Sequence, residues 1–128
     1  MEELTRISKI LNLHEYISSL PNGYQHYFEA NNNVPNNVSK KIPLARALYQ
    51  SPPLLLVDDI WSSFTKDEIH QILNYIKKLN STAIIVSNHL PVLESSDRCF
   101  FLNEQGLKEI GKVEQHRIPA EIQNIIWS

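Results

Sequence analysis

Four apolar residues, Leu54-Leu55-Leu56-Val57, run directly into two carboxylates, Asp58-Asp59. An unbroken apolar run of that length reads as a buried strand, and the acids then stand at its carboxyl end, where α/β proteins open polar sites. A carboxylate so placed can hold Mg²⁺ through water when a neighbouring loop brings phosphate oxygens, because Mg²⁺ keeps its hydration shell unless a substrate replaces it. No phosphate-cradling stretch of the form G-x-x-x-x-G-K-S/T occurs in the chain. His14, His26, His70, His89 and His116 are scattered without metal-ligand spacing. Cys99 is alone, so no internal disulfide forms and a reducing compartment is expected.

The elements that must hold these acids follow from pattern. A chain of 128 residues fits one domain with a modest core. Its 12 Lys+Arg against 14 Asp+Glu nominate neither nucleic acid nor an anionic membrane as a partner. The pair Lys40-Lys41 reads as a solvated helix start. No apolar run is long enough to cross a bilayer, and the acidic Met1-Glu2-Glu3 is not the start of a signal peptide.

Leu4, Ile7, Ile10 and Leu11 fall on one helical face, and Tyr16, Ile17 and Leu20 continue the layer until Pro21-Asn22-Gly23 turns the chain. The Asn-rich stretch 29–37 reads as an exposed loop. A helix is expected over about 41–49, with Pro43 in its first turn, where a missing amide hydrogen is tolerated. Thr65 and Glu68 form a capping box, and Ile69, Ile72, Leu73, Ile76 and Leu79 make the clearest helical stripe. Thr82–Val86 reads as a second buried strand, 91–94 as a short helix, and 98–102 and 107–110 as two further strands. Ile118, Ile122, Ile125, Ile126 and Trp127 suggest a last amphipathic helix. Tyr24, Tyr27, Phe28, Trp61 and Trp127 read as core or rim aromatics, Trp61 with a bias toward a protein-contact surface. Strands alternating with helices imply an α/β layer with a mainly parallel sheet.

In register across residues 3–115, these segments resemble the second half of an ATP-binding cassette (ABC) exporter nucleotide-binding domain. Tyr16-Ile17-Ser18-Ser19-Leu20-Pro21-Asn22-Gly23-Tyr24 is similar to the exporters' helical-subdomain phrase. Val34-Pro35-Asn36-Asn37-Val38 falls on the signature loop, and Ile42–Leu48 on the helix that follows it. Leu54–Asp58 matches the Walker B strand, Ser62-Ser63-Phe64-Thr65 the D-loop, Asp97-Arg98 the pair after the switch histidine, and 106–115 the closing hairpin.

The resemblance implies a partial P-loop NTPase layer of ABC type, with part of the helical subdomain: 1–50 helical subdomain and signature region, 51–115 Walker B to closing hairpin, 116–128 a C-terminal helix. It implies ATP and Mg²⁺ as cofactors, with Asp58 in the metal position and Asp59 where the family has its catalytic Glu. Asn88 takes the switch-histidine position, and His89, one place later, is a substitute only through a bulge. Ser62 and Ser63 belong to the D-loop, and Pro35, Asn36 and Asn37 to a degenerate signature.

Each change has a chemical consequence. Asp59 is one methylene shorter than the expected base. Asn88 cannot carry a positive charge. Pro35 removes a hydroxyl and an amide hydrogen, and Asn36-Asn37 replace glycines that allow close backbone approach, although Asn tolerates left-handed geometry. Arg46 reads as a structural brace. The expected protein is a degenerate relative that does not hydrolyse ATP alone. Its partner would be an ABC transporter subunit, a Walker A-containing half or a second copy. Cytoplasmic placement follows, with contact to a membrane only through a transporter. A half of a split ATPase and a binding module on a reused fold are the alternatives.

Overall fold

The computed structural model describes residues 1–28 and 33–126. Trp127 and residues 29–32 at the start of the Asn-rich stretch lie outside the described residues.

A helical layer comes first. Helix α1 (Glu2–Ile10) buries Ile7 and Ser8 and ends where Asn12 adopts φ +51°, a left-handed cap that Asn accepts with little strain. Helix α2 (His14–Ser19) follows, then a single 3-10 turn at Gly23–Gln25, where φ +49° calls for glycine. Helix α3 is longer than the sequence suggests, Asn36–Gln50 rather than 41–49. Pro43 therefore sits in the helix interior, not its first turn, and leaves the Ser39 carbonyl without its usual amide donor.

The central unit is a strand–helix–strand crossover. Strand β1 (Leu54–Asp58) and strand β2 (Thr82–Val86) pair in parallel, Leu55 opposite Ala83 and Val57 opposite Ile85. Between them runs α4 (Lys66–Lys78), begun by the expected box: the Thr65 amide donates to Glu68 Oε2 at 2.7 Å while Thr65 Oγ1 accepts from the Glu68 amide. Ile69, Ile72, Leu73 and Ile76 of α4 join Leu55, Val57, Ala83 and Ile85 in the main core, with Leu44, Leu48 and Val38 of α3. Trp61 is fully buried there, so it is a core residue and not a contact surface.

Two expectations about the strands are corrected. The strands are covered on one face only. Leu54 and Leu56 are 50% and 69% exposed, and Ile84 and Val86 both 56%. Nor is there one mainly parallel sheet. Helix α5 (Leu90–Ser95) leads to an antiparallel pair, β3 (Cys99–Asn103) and β4 (Gly106–Ile110), which forms its own two-stranded sheet. A second, smaller core of Leu90, Cys99, Val113 and Ile122 lies beneath it. Up to residue 126 the tail makes a single 3-10 turn, Ala120–Ile122, where a C-terminal helix was expected. Pro119 leaves only a short run to propagate, yet Ile118 and Ile122 still pack. The fold is mixed α/β with a small parallel sheet and flanking helices.

Candidate functional site at the carboxyl end of the parallel strands

Parallel pairing carries β1 and β2 to a common end. Asp58 lies opposite Val86, and the Asp59 amide donates to the Val86 carbonyl at 3.1 Å, extending the ladder by one bond. Asp59 itself turns to φ +43°, off the strand path. A carboxylate residue tolerates that conformation better than most, and it separates the direction of Asp59 from that of Asp58. Both acids are exposed. Ser87, Asn88 and His89 follow β2 at the same end and are half-buried, and Ser87 Oγ accepts from the His89 amide at 3.0 Å. The sequence-derived pairs Asp58-Asp59 and Asn88-His89 thus share one end of one sheet.

The other candidates are arranged differently. Ser62 and Ser63 sit in a 3-10 turn, Trp61–Ser63, between β1 and α4, with Ser62 exposed. Pro35 is the N-cap of α3, and Asn36 and Asn37 form its first turn. Neither Asn is left-handed: both belong to the helix. This start of α3 packs with the helical layer through Val34 and Val38, and α3 lies against α1. Arg46 is exposed.

A residue that sequence reasoning set aside proves central to the geometry. Lys41 is buried, not solvated. Its Nζ donates to Glu68 Oε1 at 2.6 Å, with side chains only 6% and 10% exposed, and the ammonium lies over the Phe64 ring at 5.2 Å. Asn12 Nδ2 donates to the same oxygen at 2.8 Å. Burial pushes the Glu68 carboxyl up, but the bonds from Lys41, Thr65 and Asn12 outweigh it and hold the pKa below its ordinary value. One carboxylate therefore ties the end of α1, the middle of α3 and the start of α4, immediately after the turn carrying Ser62-Ser63. Nothing in a bare Lys-Lys pair announces this; the only signal was that Glu68 already had a structural role in the capping box.

Among the described residues no group of three or more His, Cys, Asp or Glu is placed to hold a metal. Asp58 offers one exposed carboxylate, with neither a glycine-rich backbone nest nor a lysine beside it in sequence. These residues do not by themselves fit a magnesium–nucleotide.

Relatives of the chain are informative. An ATP-dependent lipid A-core flippase of Saccharophagus degradans is 28% identical over 107 residues, covering 81% of this chain and 18% of the flippase. ABC transporter B family member 7 of Dictyostelium discoideum is 31% identical over 104 residues, 81% of this chain and 12% of that protein. The chain is homologous to ABC exporters. The toxin RTX-I translocation ATP-binding protein of Actinobacillus pleuropneumoniae extends the match, 27% identical over 115 residues, 88% of this chain and 16% of its own length. No family model matches the chain. The homology runs over most of this chain and a small part of each ABC exporter, consistent with a fragment of an exporter ATP-binding domain. Among the described residues no helix is long and apolar enough to cross a membrane.

Proposed function

We propose that this chain is a partial, degenerate ATP-binding-cassette domain that does not hydrolyse ATP alone and acts with a partner chain in transport or its regulation. The observation that carries this reading is the parallel pair β1–β2, which has acids at its carboxyl end but a bare second face and no phosphate loop in the sequence. Parallel strands are stable when both faces are covered. A domain with one face bare and its metal acid short of ligands is half of an interaction.

In this reading Asp58 keeps the Walker B position and Asp59 the position of the catalytic base, but neither acts without oxygens and amides from elsewhere. Asn88 and His89 stand in the switch position. Pro35, Asn36 and Asn37, drawn into α3, no longer offer a γ-phosphate nest, while Ser62 and Ser63 remain available for contact with a partner. The ABC partner would be a transporter subunit, with the chain on the cytoplasmic side and the membrane reached only through that subunit.

A second reading, half of a split ATPase, draws on the shared end of Asp58-Asp59 and Asn88-His89. Phosphate release from Mg-ATP separates the two. The first reading expects none from the chain alone and none above background when a separately made Walker A-containing half is added. Release that needs both halves and is lost in Asp58→Asn would establish the split enzyme instead.

A further inference from the structure

We infer that the β3–β4 hairpin and the tail packed on it, residues 98–126, open from α5 as one unit while the rest of the fold stays closed, and that this opening is what uncovers the Cys99 thiol. The inference goes beyond the reading above and needs neither nucleotide nor partner. Packing draws the boundary. The main core holds seventeen buried residues, Val92 of α5 among them. The small core holds four: Leu90 of α5, Cys99 of β3, and Val113 and Ile122 of the tail. Among the described residues no apolar side chain belongs to both. Helix α5 is the border: Val92 joins one core, Leu90 the other, and the helix itself lies against α4. The strands keep the same division, β1 pairing with β2 and β3 with β4.

What holds the two sides differs. Apolar burial stabilises in proportion to area, so four residues hold segment 98–126 far less firmly than seventeen hold the remainder. A two-stranded hairpin is marginal in water without such cover. Polar ties add little. The ion pairs Arg98–Glu109 and Lys108–Glu121 are solvent-exposed, and both lie inside the segment, so they keep its shape without fastening it to a helix. Toward α5, Cys99 Sγ donates to the Leu93 carbonyl at 3.5 Å, and a thiol is a weak donor. The helices α1, α3 and α4 share the buried Lys41–Glu68–Asn12 tie instead. Elements with few buried apolar contacts open first.

The segment moves together because its contacts are short-range. Only Glu104-Gln105 separate β3 from β4, and Lys108 Nζ of β4 donates to Glu121 of the tail at 2.8 Å. Cys99 reports the motion. It is the chain's single cysteine and is 8% exposed when the hairpin is closed. Burial also pushes its thiol pKa up, which keeps the reactive thiolate scarce. Reaction at Cys99 therefore waits for the hairpin to lift.

The test treats the whole chain with a chromogenic disulfide reagent at a series of urea concentrations below the main unfolding transition, which helical circular dichroism follows. Cys99 is expected to react more slowly than in the urea-unfolded chain. Its rate should depend on urea far less steeply than the main transition does, because the slope scales with the surface exposed. Ile122→Val should speed the reaction about two- to tenfold, and Val113→Ala at least tenfold, with the dichroism midpoint nearly unmoved. Ile72→Val, in the main core, should lower that midpoint and leave the labelling rate unchanged. A Val113→Ala chain that labels like the unfolded chain but keeps its helical transition would equally support a separate unit. Labelling that waits for the main transition, or that Ile72→Val and Ile122→Val speed alike, would overturn the inference in favour of one cooperative fold. Wild-type labelling as fast as that of the unfolded chain would overturn it as well, since nothing would then cover Cys99.

Discussion

Lys41 and Glu68, 27 residues apart, meet at 2.6 Å in a nearly dry setting. The pair joins α3 to the capping box of α4, and Asn12 brings in the end of α1. A buried ion pair is costly to assemble and costlier to break, because removing one member strands the other without water. Lys41→Met is therefore expected to destabilise the fold by about 3–5 kcal/mol, and Glu68→Met by a similar order. The double replacement Lys41→Met with Glu68→Met should recover much of that loss. Urea unfolding of the four proteins checks this as a double-mutant cycle.

The depressed pKa of Glu68 sets an acid limit. A carboxyl with a folded-state pKa below its unfolded one contributes stability above the unfolded value and loses it as pH falls through the folded one. Stability should thus decline below about pH 4.5, the group's ordinary value. In Glu68→Gln, whose starting stability is lower, the acid limb should be shallower. Unfolding free energies measured along a series of acidic buffers show the difference in slope.

At the alkaline side the relevant group is Tyr75, in the last turn of α4, whose hydroxyl donates to Glu3 of α1. Burial and the neighbouring Glu3 carboxylate push its pKa up to about 12, against an ordinary 10.0. A raised folded-state pKa means stability that is whole below the unfolded value and lost as pH rises toward the folded one, between about 10 and 12. Tyr75→Phe should remove this loss, and phenolate absorbance should show one fewer late-titrating tyrosine.

Pro43 is an interior helix proline and cannot supply the amide hydrogen that the Ser39 carbonyl would ordinarily accept. Pro43→Ala restores the amide donor and should stabilise the chain by about 1–3 kcal/mol, read as a raised urea midpoint. Thr65→Ala removes the cap of α4 and should cost about 1 kcal/mol on the same scale.

How much of this was legible beforehand depends on the range of the interaction involved. The capping box and the α4 stripe are local signals spaced three and four residues apart, and both stand as read. The strands were also legible, but their burial was not: an unbroken apolar run says that both faces want cover, and here α4 covers one. The start of α3 was hidden by Asn36-Asn37, poor helix formers that Pro35 nonetheless leads into a first turn. The burial of Lys41 is not legible in the sequence, because a basic pair is normally solvated and its partner is distant along the chain. For the candidate site, the juxtaposition of Asp58-Asp59 with Asn88-His89 follows from parallel pairing and was implicit in the register. The left-handed turn at Asp59 was not, since no local sequence signal marks it; there the Asp59 amide donates to the Val86 carbonyl across the strands.

The central claim is that the acids at the end of β1 do not bind Mg-ATP without a partner. The most direct measurement is a nitrogen–proton correlation spectrum of the whole chain with and without Mg-ATP. Dispersed peaks that stay in place, with Asp58, Asp59, Asn88 and His89 unmoved, are the expected result. Saturable shifts centred on those four residues, abolished in Asp58→Asn, would contradict it.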